Sequence, residues 1–191
     1  MTTVFYDIDT QLDFLFPAGA LAVPGAERIL PAIARLNRLA AERGMPVIST
    51  VDAHTEDDPE FRVWPPHCVA GTWGQRKAEA TLLPRRVVVP NSDGELAISG
   101  AQQIVIEKQT VNAFDAPHMS RAIDLLGADC HVVYGVVTEI CVLYAARGLL
   151  RTGKPVLVVT DAIQCLDAGE SRRALAEIES LGGRLVTSSA V

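Results

Sequence analysis

One feature constrains this chain more than any other. Short, continuously apolar runs alternate with longer stretches of helical periodicity along its length. The apolar runs predict strands at residues 4–9, 47–51, 104–106, 131–137 and 156–160, with a last strand at 184–187. Between them, residues 27–43, 117–126, 139–151 and 169–181 read as helices. In the first of these, Ile29, Ile33, Leu36 and Leu39 recur on one face, and Gly44 ends the pattern. Pro117 is tolerated in a first helical turn. Residues 52–86 are rich in loop formers, and V-V-V-P at 87–90 followed by N-S-D-G reads as a short irregular excursion. Strands alternating with helices predict βαβ units with right-handed crossovers. The expected fold is therefore α/β: a three-layer α/β/α, Rossmann-like arrangement around a mainly parallel central sheet. Strands apolar at every position, rather than at alternate ones, fit a sheet covered on both faces.

Length and composition narrow the function. The 191 residues suit a single domain spanning 1–191, and 49% hydrophobic residues supply a substantial core. The net charge of −6, without any basic cluster, argues against nucleic acid or anionic membrane partners. The first residues carry no signal-peptide pattern, and no apolar run reaches the roughly 18 residues of a membrane span. Four cysteines, none in a C-x-x-C pair, predict reduced thiols and a cytoplasmic location. No G-x-G-x-x-G follows the first strand, so a dinucleotide site has no support.

Ligands of open α/β sheets bind outside the carboxyl ends of the strands, and here those ends carry reactive groups. The first strand ends in Asp9, the second leads into Asp52 and His54, the third into Lys108, and the fourth passes Thr138 to Cys141. Each has a plain alternative. Cys141 reads either as a buried small hydrophobe or as a nucleophile. With Thr138 as helix N-cap it would lie in a first turn, where helix amides favour a thiolate and offer hydrogen bonds to an oxyanion. Asp9 shares a strand face with Asp7 and could be a turn residue, and Lys108 could be an ordinary exposed lysine. Asp52, His54 and His67 offer two imidazoles and a carboxylate, which suit Zn²⁺ or Fe²⁺ with coordination positions left open; otherwise they are two surface histidines in a polar loop. His118 and His131 lack such company and read as cap or surface residues.

Together these stretches resemble the isochorismatase-like cysteine hydrolases, nicotinamidases above all. The matching stretches are D-T-Q-L-D-F at 9–14, P-A-G-A-L-A-V-P-G at 17–25, D-A-H at 52–54, W-P-P-H-C-V-A-G-T at 64–72, Lys108, and G-V-V-T-E-I-C-V at 135–142. The resemblance implies the isochorismatase-like hydrolase fold and a catalytic triad of Asp9, Lys108 and Cys141. It implies a divalent metal, Zn²⁺ first with Fe²⁺ or Mn²⁺ as alternatives, held by Asp52, His54 and His67. A cis peptide before Val137 would aim the amides of Val137 and Cys141 at an oxyanion. Phe14 and Trp64 would line a ring site, the pyridine nitrogen of nicotinamide resting on the metal. The implied reaction is hydrolysis of a small-molecule amide through a thioester, nicotinamide giving nicotinate and ammonia as in NAD salvage. Family members often form homo-oligomers.

The sequence also departs from that pattern. D-A-H-T stands where nicotinamidases usually have D-W-H-P, and Ile140 replaces a common Tyr. The stretch Q-T-V-N-A-F at 109–114 is similar to ureido, carbamoyl and maleamate hydrolases of the same superfamily. A non-catalytic binding protein on the same fold and a thiol redox protein using Cys141 are the remaining readings.

Overall fold

The computed structural model describes residues 2–191. Seven strands form one all-parallel sheet in the order β3-β4-β2-β1-β5-β6-β7. They are β1 (Thr3–Ile8), β2 (Val47–Asp52), β3 (Arg86–Val89), β4 (Gln103–Lys108), β5 (Cys130–Val136), β6 (Val156–Gln164) and β7 (Arg184–Val186). The helices are a single turn α1 (Leu12–Leu15), α2 (Leu30–Glu42), α3 (Met119–Leu126), α4 (Leu143–Leu150) and α5 (Ala168–Ser180). Successive residues of β1, β2 and β5 are buried almost without interruption, so both faces of the sheet are covered. This is the expected three-layer α/β/α fold. Among the described residues no helix is long and apolar enough to cross a membrane, and all four cysteines are free thiols.

The chain winds outward from β1 to β2 on one side and returns to β5 on the other. β1 and β5 therefore flank a topological switch point, where a crevice opens at the carboxyl ends. Gly135 (φ 121°) lets the two strands close there: a Cβ at this position would stand 2.1 Å from the Ile8 carbonyl oxygen. Asp9 and Cys141 leave the sheet on either side of this contact.

Several expectations are corrected. Residues 86–89 form a true edge strand paired with β4 rather than an irregular excursion, because three consecutive valines suit an extended edge and Pro90 then stops it. The helix expected from residue 27 opens as a 3-10 turn, Ala26–Ile29, and becomes α-helical only at Leu30, with proline in the first turn. β6 runs four residues beyond the predicted end at 160. His118 and His131 are buried rather than superficial. His118 does occupy the N-cap position of α3, but its Nε2 bonds the Ser92 carbonyl oxygen (2.9 Å). His131 lies in the sheet between the Tyr6 hydroxyl (2.9 Å to Nδ1) and the Thr152 hydroxyl (3.2 Å to Nε2). A polar side chain survives in such a run because both ring nitrogens find partners.

Candidate active site and cation cluster

Asp9, Lys108 and Cys141 meet at the carboxyl edge. Asp9 follows β1 in a left-handed conformation (φ 48°), which turns it away from the direction taken by Asp7. The shared face expected from strand alternation is thereby lost: Asp7 pairs with Lys77, and Asp9 with Lys108. Asp9 Oδ1 accepts the Thr50 hydroxyl (2.6 Å), and its Oδ2 lies 2.9 Å from Lys108 Nζ. That oxygen is close enough for an ion pair but lacks hydrogen-bond alignment with any described group. Lys108, last in β4 and 1% exposed, also bonds Asp52 Oδ1 and stands 3.9 Å from the Cys141 sulfur. Burial alone would lower the lysine pKa, but the carboxylates of Asp52 and Asp9 outweigh it and hold the group well above its ordinary value. Lys108 is a buried ammonium.

The cysteine differs from expectation. Thr138 does not cap a helix; its hydroxyl donates to the Gln164 carbonyl (3.0 Å), and Val137 occupies the N-cap position. Residues Thr138–Val142 form one π-helical turn leading into α4. Burial pushes the Cys141 thiol well above its usual pKa; Lys108 pulls it down, while Asp9 and Asp52 push it up. Burial thus favours the neutral thiol, against the thiolate that a first-turn position suggested. The peptide between Val136 and Val137 is cis.

The second cluster is contiguous with the first. One ligand atom each from Asp52, His54 and His67 lies within 4.8 Å of the others, and all three residues are buried. Asp52 Oδ2 is 3.9 Å from His54 Nε2 and 4.0 Å from His67 Nε2. His67 Nδ1 donates to the Pro65 carbonyl oxygen (2.8 Å), and His54 Nδ1 meets Asp58 Oδ2 (2.9 Å). Both contacts turn the Nε2 lone pairs toward Asp52, an arrangement typical of histidine ligands. His54 Nε2 is buried with no hydrogen-bond partner among the described residues, a costly state that a cation would relieve. Ligands of one tetrahedral zinc stand roughly 3.3 Å apart, so the donor set fits a divalent ion after a small contraction. Burial pushes the Asp52 carboxyl up to about 6, with Lys108 opposing and Asp9 reinforcing, while burial lowers the His67 pKa. A neutral imidazole is the ligating form.

A narrow cavity joins the clusters. Phe14, Trp64, Val137 and Cys141 line it, as do Asp9, Asp52 and His67. Sequence reasoning did not single out Leu21, Val23, Glu60, Val111 or Leu166, which also face it. Leu21 and Val23 stand two residues apart within the stretch 17–25 and Val111 lies within 109–114, whereas Glu60 and Leu166 come from other segments. Phe61 was missed as well; its ring lies edge-on to His54 at 5.3 Å. A wider groove between α3 and α4, beside Phe114 and Tyr144, contains none of these clustered groups.

The isochorismatase domain family matches residues 4–190. A nicotinamidase/pyrazinamidase of Mycobacterium tuberculosis is 26% identical, covering 95% of this chain and 97% of that protein. A maleamate amidohydrolase of Pseudomonas putida is also 26% identical, over 94% of this chain and 80% of its own length. Among solved structures, a Pyrococcus horikoshii pyrazinamidase in complex with zinc superposes with a TM-score of 0.84 at 27% identity, covering 98% and 99% of the two chains.

Proposed function

Because the chain belongs to the isochorismatase domain family, we propose that it is a cysteine amidohydrolase that converts a small, neutral, planar carboxamide, nicotinamide first, to its acid and ammonia. The observation that carries the reading is the position of one buried ammonium, Lys108, in contact with Asp9, Asp52 and Cys141.

The resting thiol must lose its proton to attack, since the thiolate is the nucleophile. Asp9 is the assigned acceptor, and Lys108 stabilises the negative charge as it moves from carboxylate to sulfur. Cys141 Sγ then adds to the amide carbon, and the amides of Val137 and Cys141 receive the oxyanion. Asp9 returns its proton to the departing ammonia. Water cleaves the thioester with Asp9 again as base, and the acid leaves. A divalent cation held by Asp52, His54 and His67 would supply Lewis-acid binding of a substrate heteroatom and so orient the amide. Phe14 and Trp64 would sandwich the ring of the substrate.

The cavity lining favours a neutral substrate. It contains the carboxylates of Asp9, Asp52 and Glu60 and the apolar Leu21, Val111, Ile140 and Leu166, but no arginine. An anionic amide such as maleamate would find no arginine fork for its carboxylate among the described residues and would meet three carboxylates instead. Ammonia release from nicotinamide, pyrazinamide, maleamate, and ureido and carbamoyl compounds tests the assignment. Nicotinamide or pyrazinamide is expected to give the highest kcat/KM. Preference for maleamate would overturn the neutral-substrate reading and leave the thiol chemistry standing.

A further inference from the structure

We propose that Gln11 and Asp13 are positioning residues that hold the two halves of the cation cluster in register with Asp9. The inference rests on reading Asp52, His54 and His67 as a cation site. The segment leaving β1 carries Asp9, Gln11 and Asp13 at alternate positions, and each engages a different part of the edge. Asp9 meets Lys108. Gln11, wholly buried, grips the backbone of Asp52 at two points: its Nε2 donates to the Asp52 carbonyl (2.8 Å), and its Oε1 accepts from the Asp52 amide (2.7 Å). The same nitrogen also donates to the Gln75 carbonyl (2.7 Å). Asp13, also buried, accepts the Cys68 amide at Oδ2 (2.7 Å) and the Ala20 amide at Oδ1 (2.9 Å).

Those two grips fall on the two segments that bring the ligands. Asp52 and His54 lie at the end of β2, and His67 immediately precedes Cys68, which holds a left-handed φ of 45°. The segments meet where the His54 amide donates to the Cys68 carbonyl (3.2 Å). Neither Gln11 nor Asp13 lines the cavity, so neither is placed to touch substrate. Their buried polar atoms bond backbone around the cluster, and such bonds fix position where a flexible loop would let the ligands drift. Gly74 is part of the same device: a Cβ there would stand 2.2 Å from both Asp13 carboxylate oxygens. Gly74→Ala therefore displaces Asp13 without changing its chemistry.

The test measures metal rather than turnover. Protein stripped with a chelator is titrated with Zn²⁺ against a chromophoric competitor, and the visible spectrum of the Co²⁺-loaded form is recorded. Wild type is compared with Gln11→Glu, Gln11→Leu, Asp13→Asn and Gly74→Ala. Tyr134→Phe, which loses a hydrogen bond in a separate buried network, controls for stability. Zn²⁺ affinity is expected to fall on the order of 10-fold or more in the Gln11, Asp13 and Gly74 variants, with an altered Co²⁺ spectrum. Tyr134→Phe is expected to bind as wild type despite a lower melting temperature. Wild-type affinity and spectrum in the Gln11 and Gly74 variants would overturn the inference, as would an equal loss in Tyr134→Phe. A set of variants none of which folds would mark these residues as structural instead. Wild-type protein that takes up no Zn²⁺ would remove the cation site and the inference with it, a result distinct from tight binding that the variants share.

Discussion

Lys77 and Lys108 are both buried, and each meets a carboxylate from the end of β1, but the two clusters are built for different ends. Around Asp7 every oxygen is used. Its Oδ1 accepts the Thr10 hydroxyl (2.8 Å), and its Oδ2 accepts Asn37 Nδ2 (2.8 Å) and pairs with Lys77 (2.8 Å). Asn37 in turn accepts the Tyr134 hydroxyl (2.5 Å). Burial lowers the Lys77 pKa, and Asp7 only partly offsets it. Around Asp9 the balance is different. Lys108 faces two carboxylates and a thiol, Asp9 Oδ2 lacks an aligned donor, and His54 Nε2 is orphaned. A cavity opens onto the second cluster. A saturated buried network fixes a fold, whereas one left partly unsatisfied beside a cavity retains capacity for a ligand and a proton.

Substitution of the two lysines breaks this comparison most sharply. Lys108→Met leaves Asp9 and Asp52 facing each other unpaired. It should abolish ammonia release and cost about 3–5 kcal/mol of stability, the usual loss when one partner of a buried ion pair is removed. Lys77→Met should cost a similar amount, read by denaturant unfolding, yet retain measurable turnover because Asp7 keeps its bonds to Thr10 and Asn37. Equal loss of turnover in both variants would erase the distinction.

Acid sharpens the comparison by probing a third polar group, His131, near the amino edge of the sheet. Burial, reinforced by the charge of Lys154, lowers its pKa from 6.5 to about 4. The folded state therefore binds fewer protons than the unfolded state between these values. Its stabilising contribution is complete above about 6.5 and declines as the pH falls toward 4, by at most about 3 kcal/mol. Urea unfolding across that window should display the slope, and His131→Gln should flatten it. An unchanged slope would mean that other groups govern acid stability. The smallest expected effect is that of Tyr134→Phe, which should cost about 1 kcal/mol and leave turnover unaltered.

Much of this was legible in the sequence, for a definite reason. A parallel sheet gathers its carboxyl ends on one edge, so Asp9, Asp52, Lys108 and Cys141 could be brought together from strand positions alone. What escaped depends on structure that periodicity does not encode. The left-handed turn at Asp9 separates it from Asp7, and the π turn replaces the expected cap at Thr138. The apolar walls arrive on three separate segments, Leu21 with Val23, Val111, and Leu166. His131 looked superficial because its partners, Tyr6 and Thr152, lie 125 and 21 residues away.

The most direct test of the central claim is ammonia release from nicotinamide by wild type and Cys141→Ala, with the fold of each verified by circular dichroism. Turnover by wild type and none by a folded Cys141→Ala is the predicted result. Turnover that survives in Cys141→Ala would contradict the account, since the amide would then be cleaved without the sulfur to which the whole edge is directed.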